Sequence, residues 1–195
     1  TATTYDLNGG TVNANLGAGT LRQIGNTTLL NGTSGASVVQ VNGGTLTLGA
    51  SNRLSDSAAV AVNSAILNIG SFNDTVGSFT LNGGSLNGSG TLTASTYALN
   101  GGTVNANLGS GTVNQIGNTT LLNGTSAASV VNVNGGTLTL GASDRLADNA
   151  AVTVNSAILN LGIFSDTVGS FTLNSGTLDG SGTLTAATYD LYGGT

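Results

Sequence analysis

Val38-Val39-Gln40-Val41-Asn42-Gly43-Gly44-Thr45-Leu46-Thr47-Leu48-Gly49 is the stretch whose pattern settles the secondary structure. Its apolar residues alternate, with Val39 and Val41 before the Asn-Gly bend and Leu46 and Leu48 after it. A period of two belongs to extended strands with one buried face, and it excludes a helix here. Thr, Val and Leu fill the strands, and Asn and Gly, which tolerate a left-handed backbone, mark the bend.

Outward from this stretch, the sequence repeats. Tyr5 recurs as Tyr97 and Tyr189, a super-repeat of 92 residues. Residues 5–96 and 97–188 differ at 17 of 92 positions, among them Asp6/Ala98, Arg22/Asn114, Asn52/Asp144, Ser57/Asn149, Gly83/Ser175 and Asn87/Asp179. Apolar positions that vary generally stay apolar, as in Leu21/Val113 and Ile69/Leu161, which fits a shared buried column with a permissive surface. A third copy starts at 189–195, and TATTYDLNGGT from Thr1 is echoed by TAATYDLYGGT from Thr185. Stacked repeats normally end in polar caps, so residues 1–195 are expected to form one continuous segment of a longer array, without separate domains.

A shorter motif recurs inside each copy. LNGGTV starts at Leu7, VNGGTLTLG at Val41, VNSAILNIG at Val62 and LNGGSLNGSG at Leu81. The set then begins again with Leu99, Val133, Val154 and Leu173. The motif asparagines, Asn8, Asn42, Asn63, Asn82, Asn100, Asn134, Asn155 and Asn174, are therefore separated by 34, 21, 19 and 18 residues, repeating. Steps of 18–21 suit one coil of a solenoid. The step of 34 holds either two short coils or one coil with a loop around Leu30-Asn31-Gly32-Thr33, and two coils are the expectation.

Identical units that all carry the same apolar face cannot take the distinct places of a globular sandwich, but stacking satisfies every one of them. If each coil lies about 4.8 Å above the last, equivalent strands pair in parallel and the inward Val, Leu and Ile form columns. The expected fold is thus all-β: a parallel β-helix, or β-solenoid, of 18–21 residues per coil, right-handed by analogy with other parallel crossovers. Roughly nine to eleven coils make a rod on the order of 45–50 Å long.

Composition bounds the chemistry. The 195 residues carry a net charge of −5, with 6% charged residues, 32 glycines and no Cys, His, Pro, Met or Trp. The cations are three arginines and the anions eight aspartates, with no Lys or Glu. The usual nucleophile–base pairs, thiolate chemistry, Schiff bases and His-bearing metal sites cannot be built from this set. Three arginines also cannot supply the basic footprint that nucleic acid requires. No run approaches the roughly 20 apolar residues of a membrane-spanning helix, and residues 1–4 lack the regions of a signal peptide.

The eight motif asparagines are the principal candidate residues, and they read as structure: stacked side-chain amides bonding along the rod as a ladder at an inner corner. Phe72, Phe164, Phe79, Phe171, Tyr5, Tyr97 and Tyr189 read mainly as core or stack fillers, with an exposed tyrosine row as the alternative. Arg53 with Asp56, and Arg145 with Asp148, sit three residues apart. They read as surface ion pairs, with an acidic or sugar ligand as the second possibility. Asp74 and Asp166 are expected to bond to backbone amides and not to a metal, since the calcium-binding Gly-Gly-x-Gly-x-Asp pattern is absent. Asp56, Asp74, Asp144 and Asp166 are spread along the repeats, Asp74 recurring as Asp166, and do not converge as a glycosidase pair would. Thr45 and Thr47 raise the possibility of an ice-binding face, although such pairs occur in only some coils.

VNGGTLTLGASNRLSDSAAVAVNSAILNIGSFNDTVGSFTLNGGSLNGSGTLT, from Val41 to Thr93, resembles the passenger-associated repeat of bacterial autotransporters and related giant surface proteins. The resemblance rests on the GTLTLG strand, the Asn/Asp-Arg-Leu-x-Asp segment, the Phe-x-Asp-Thr-Val-Gly-Ser turn and the closing GSGTLT, over more than half of each super-repeat. It implies a secreted β-solenoid at a bacterial cell surface, acting as a stalk or adhesin. The expected function is therefore a rigid extracellular stalk or fibre and not an enzyme, with no cofactor and no metal. End-to-end or lateral self-association, or contact with surface glycans, are the expected partnerships. A glycan-binding module is the rival reading, resting on Tyr97 and Arg145, and an ice-binding solenoid the third.

Overall fold

The structure is a computed structural model that describes residues 2–195. Its strands are β1 (Thr4–Leu7), β2 (Gly10–Val12), β3 (Thr20–Leu30), β4 (Val38–Leu48), β5 (Ala59–Asn63), β6 (Ile66–Asn68), β7 (Asp74–Asn82) and β8 (Ser85–Asn87). These are followed by β9 (Thr91–Leu99), β10 (Gly102–Val104), β11 (Asn107–Leu108), β12 (Thr112–Leu122), β13 (Val130–Leu140), β14 (Ala151–Asn160), β15 (Asp166–Asp179) and β16 (Leu184–Leu191). Every pairing is parallel, and each strand joins its equivalents in the coils before and after it. The outcome is a β-solenoid of about ten turns, without a helix among the described residues. At about 4.8 Å per turn the stack rises on the order of 48 Å.

The alternating pattern of Val38–Leu48 sends Val39, Val41, Leu46 and Leu48 inward. On the first face the register runs Tyr5, Leu21, Val39, Val60, Phe79, Tyr97, Val113, Val131, Val152, Phe171, Tyr189. All from Leu21 to Phe171 are buried. A second inward column beside it contains Val41, Val62, Leu81 and Leu99, and together they form the shared apolar interior.

The 34-residue step holds two coils. β3 lies between the coil of β1 and β2 and the coil of β4, stacked on both, and β12 repeats the arrangement. This inserted coil departs from the others inside. Gln23 and Gln115 occupy inward positions where the neighbouring coils carry Leu and Val, and Thr28 and Thr120 lie inward beneath Leu46 and Leu138. Ser34 and Ser126 complete a polar layer once in each super-repeat. The Gln23 amide donates to the carbonyls of Gly25 and Asn26 (2.6 Å to the latter), so the side chain serves the backbone of its own widened corner.

The faces do not keep equal step. On the first face Val39 reaches Val131 after five coils, a full super-repeat. On the second face Leu46 passes through Leu67, Leu86, Val104 and Leu122 to Leu140, two residues further. Because side chains alternate with a period of two, this drift leaves inward residues inward. An odd slip would turn the column out to water.

Candidate functional site

The outward surface offers three constellations: the asparagine rows, the loops around Arg53 and Arg145, and the threonine positions. The asparagine rows come from corners where the chain leaves one face for the next. Asn63 Nδ2 donates to Asn42 Oδ1 at 2.7 Å, and Asn82 Nδ2 to Asn63 Oδ1 at 2.9 Å. The second copy repeats this with Asn155 to Asn134 at 2.8 Å and Asn174 to Asn155 at 2.6 Å. Asn8 and Asn100 join different partners: Asn26 donates to Asn8 Oδ1 at 3.4 Å and Asn118 to Asn100 Oδ1 at 3.1 Å.

Two features differ from the sequence reading. The row lies on the outside of the corner, exposed or half-buried, because the inner side is filled by the apolar columns. It is also interrupted, since the inserted coil contributes Asn26 and Asn118, which the motif search passed over. Their only signal was the 18-residue distance from Asn8 and Asn100, without the Gly-Gly or Ser that follows the others. A second row runs along another corner, where Asn31 donates to Asn13, Asn105 to Asn87 and Asn123 to Asn105, each at 2.7 Å. An amide row contains no acid, base or nucleophile at ordinary pH; what it does chemically is to bond one coil to the next.

Arg53 and Asp56 do not form the expected ion pair, nor do Arg145 and Asp148; among the described residues the pair Arg22–Asp6, at 3.5 Å and exposed, is the one salt bridge. The Arg53 guanidinium instead spans coils, donating through Nη1 to the Asn31 carbonyl at 2.6 Å and through Nε to the Ser51 carbonyl at 3.0 Å. Arg145 does the same with Asn123 and Ser143, at 2.7 and 3.0 Å. A planar fork fits two carbonyls and leaves the aspartate to solvent.

Asp74 faces inward, directly below Leu92, and is 2% exposed. Its Oδ2 accepts from the amides of Arg53 at 2.7 Å and Leu54 at 3.3 Å, while Oδ1 has no partner. Asp166 holds Arg145 and Leu146 at 2.7 and 3.1 Å in the same way. Burial pushes the Asp74 carboxyl up to about 6, above what the amide donors would set, and burial raises Asp166 too. Both anchor the wide loop at backbone amides, as the sequence suggested, and no three acidic side chains come together as a metal cluster among the described residues.

Tyr97 is fully buried. Its hydroxyl accepts from the Ala94 amide at 2.8 Å and donates to the Leu92 carbonyl at 3.0 Å, so it is a corner filler and not part of an exposed row. Phe79 and Phe171 are core, whereas Phe72 and Phe164 lie half-buried at a corner. The threonine row is broken: Ile66 stacks above Thr45 and Asn68 above Thr47.

No protein-family model matches the chain, and no curated protein or solved structure does.

Proposed function

We propose that the chain is a structural spacer: a stiff rod segment of an extracellular bacterial surface protein or filament. The observation that carries this reading is the continuity of the stack. Strand pairing, the buried columns and the asparagine rows all run along one axis, so length is gained at about 4.8 Å per coil while every coil stays bonded to the next. The surface supports the same reading. Its recurrent polar groups bond to neighbouring coils, and Arg53 and Arg145 are committed to backbone carbonyls. The glycan-binding alternative loses both of its named residues, Tyr97 to the core and Arg145 to the coil below it.

The test is immuno-electron microscopy of the source cells with an antibody raised against this chain. Label on spikes or fibrils standing off the cell surface is the expected result. Label confined to the cell interior overturns the reading.

A further inference from the structure

We infer that Asn87 is a self-modification site, at which the Gly88 backbone nitrogen closes on the Asn87 side chain and its amide is converted to a carboxylate. The rod reading neither contains nor requires this step.

Ring closure of this kind is least hindered where Asn precedes Gly, because glycine sets no Cβ beside the attacking nitrogen. The chain holds eight Asn-Gly pairs. Closure needs a following amide free to turn toward the side chain, a side-chain nitrogen free to leave, and a side-chain oxygen that can take up negative charge.

Seven pairs fail on the first of these. The amides of Gly9 and Gly101 donate to Thr28 and Thr120 Oγ1 at 3.0 and 3.1 Å. Those of Gly32, Gly83 and Gly124 donate to the carbonyls of Val12, Gly101 and Val104 at 3.0, 3.1 and 3.1 Å. Gly43 and Gly135 lie inside β4 and β13, paired with Ile24 and Ile116.

Gly88 differs. It follows the end of β8, and its amide meets no acceptor among the described residues. The other two conditions hold at the same corner. Asn87 Nδ2 donates to no described group, whereas Nδ2 of Asn31, Asn82 and Asn123 is held by a neighbouring asparagine. Asn87 Oδ1 accepts from Asn105 Nδ2 at 2.7 Å, a donor already in place where negative charge develops. Asn87 and Gly88 are half-buried, so water reaches them.

The second copy displays both the reach and the product. Asp179 stands at the position of Asn87, and its Oδ1 accepts from the Gly180 amide at 2.9 Å. The corner thus lets the side chain fold back on the amide that follows, and it houses a carboxylate. At position 87 a carboxylate still accepts from Asn105, now as a charge-assisted bond. The same change at Asn63 would remove the donor to Asn42.

The step balances without an oxidant or reductant. The Gly88 N–H gives its proton to solvent base, the bond from nitrogen to Cγ forms, and the Cγ–Nδ2 bond breaks with Nδ2 leaving as ammonia. Water then opens the cyclic imide at either carbonyl, leaving aspartate or isoaspartate. One water is consumed and one ammonia released.

The test is incubation of the 195-residue chain at mildly alkaline pH, folded and in urea, followed by pepsin digestion, whose acidity stops the reaction, and tandem mass spectrometry. In urea the Asn-Gly pairs should convert at similar rates. In the folded chain Asn87 should lead the other interior pairs, Asn31, Asn42, Asn82, Asn100, Asn123 and Asn134. Its lead over Asn82 and Asn123 should be at least about tenfold, since two hydrogen bonds must break there that Asn87 lacks. Asn105→Ala should slow Asn87 in the folded chain and leave its rate in urea unchanged. An Asn87 that stays intact, or that trails any of those six pairs, overturns the assignment. So does an unchanged or faster conversion in folded Asn105→Ala, which would mean that corner mobility sets the rate.

Discussion

The carboxylate of Asp74 accepts the backbone amide of Arg53 at 2.7 Å across 21 residues of sequence. It thereby supplies the acceptor that a widened coil lacks. Between Leu48 and Ala59 the chain leaves the sheet, and the amides of Arg53 and Leu54 have no strand carbonyl in line. A buried amide without an acceptor costs about 1–3 kcal/mol, so an inward aspartate is tolerated in a column otherwise filled by Leu92 and Leu108.

This arrangement makes stability depend on pH. The Asp74 carboxyl titrates at about 6 in the folded chain because burial disfavours its charged form, against 3.8 ordinarily, and Asp166 is shifted in the same direction. A folded value above the unfolded one means that the stabilisation is complete below pH 3.8 and is lost as the pH rises through about 6. Thermal unfolding followed by circular dichroism should give a higher Tm at pH 4 than at pH 7. Asp74→Asn, which keeps an acceptor for the two amides and cannot ionise, should reduce that difference and leave the part that Asp166 contributes.

Two glycines separate backbone strain from crowding between coils. Gly44 and Gly70 have nearly the same positive φ, 61° and 58°. A Cβ on Gly44 would run into the carbonyl oxygens of Gly25 and Asn26, whereas one on Gly70 would meet only the Phe72 ring at ordinary contact distance. Gly70→Ala should cost about 1–2 kcal/mol, the left-handed penalty alone. Gly44→Ala should cost more than about 4 kcal/mol, because the coils must part. Chemical denaturation of both variants measures the difference.

The amide row is worth testing at an interior link. Asn63 both donates to Asn42 and accepts from Asn82, whereas Asn42 takes part in one of these bonds. At about 0.5–1.5 kcal/mol for each bond, less where water competes, Asn63→Ala should destabilise about twice as much as Asn42→Ala. Equal losses would mean that the bonds contribute nothing beyond the corner backbone.

Gln23→Ala examines the polar layer. The change removes the donor to the Gly25 and Asn26 carbonyls and empties a fully buried site, so a loss of about 2–5 kcal/mol is expected, measured by urea unfolding.

The coil plan was readable because it is periodic. Val39, Val41, Leu46 and Leu48 alternate, the asparagines return at coil length, and the buried differences between the two copies, Leu21/Val113 and Ile69/Leu161, stay apolar. What escaped the reading was set by partners distant in sequence. Arg53 and Asp56 look like a pair at three residues' separation, but the Asn31 carbonyl, 22 residues earlier, is the better acceptor. Tyr97, by contrast, reads mainly as a core filler from the sequence, and the structure buries it between Phe79 and Val113. Gln23 broke an apolar column and marked the widened corner, a signal that polarity alone hid. The drift on the second face enters at one step, from β10 to β12, because nine residues separate Val113 from Leu122 where seven separate Tyr97 from Val104.

Coaxial stacking itself is tested most directly by electron–electron spin distances between labels on one outward column. Gln40, Asn132 and Thr172 occupy such a column, with Asn132 five coils above Gln40 and Thr172 seven. Labels at Gln40 and Asn132 should lie about 24 Å apart, and labels at Gln40 and Thr172 about 34 Å. Distances that fail to grow with coil number, or that place Thr172 as near to Gln40 as Asn132 is, contradict the stacked architecture.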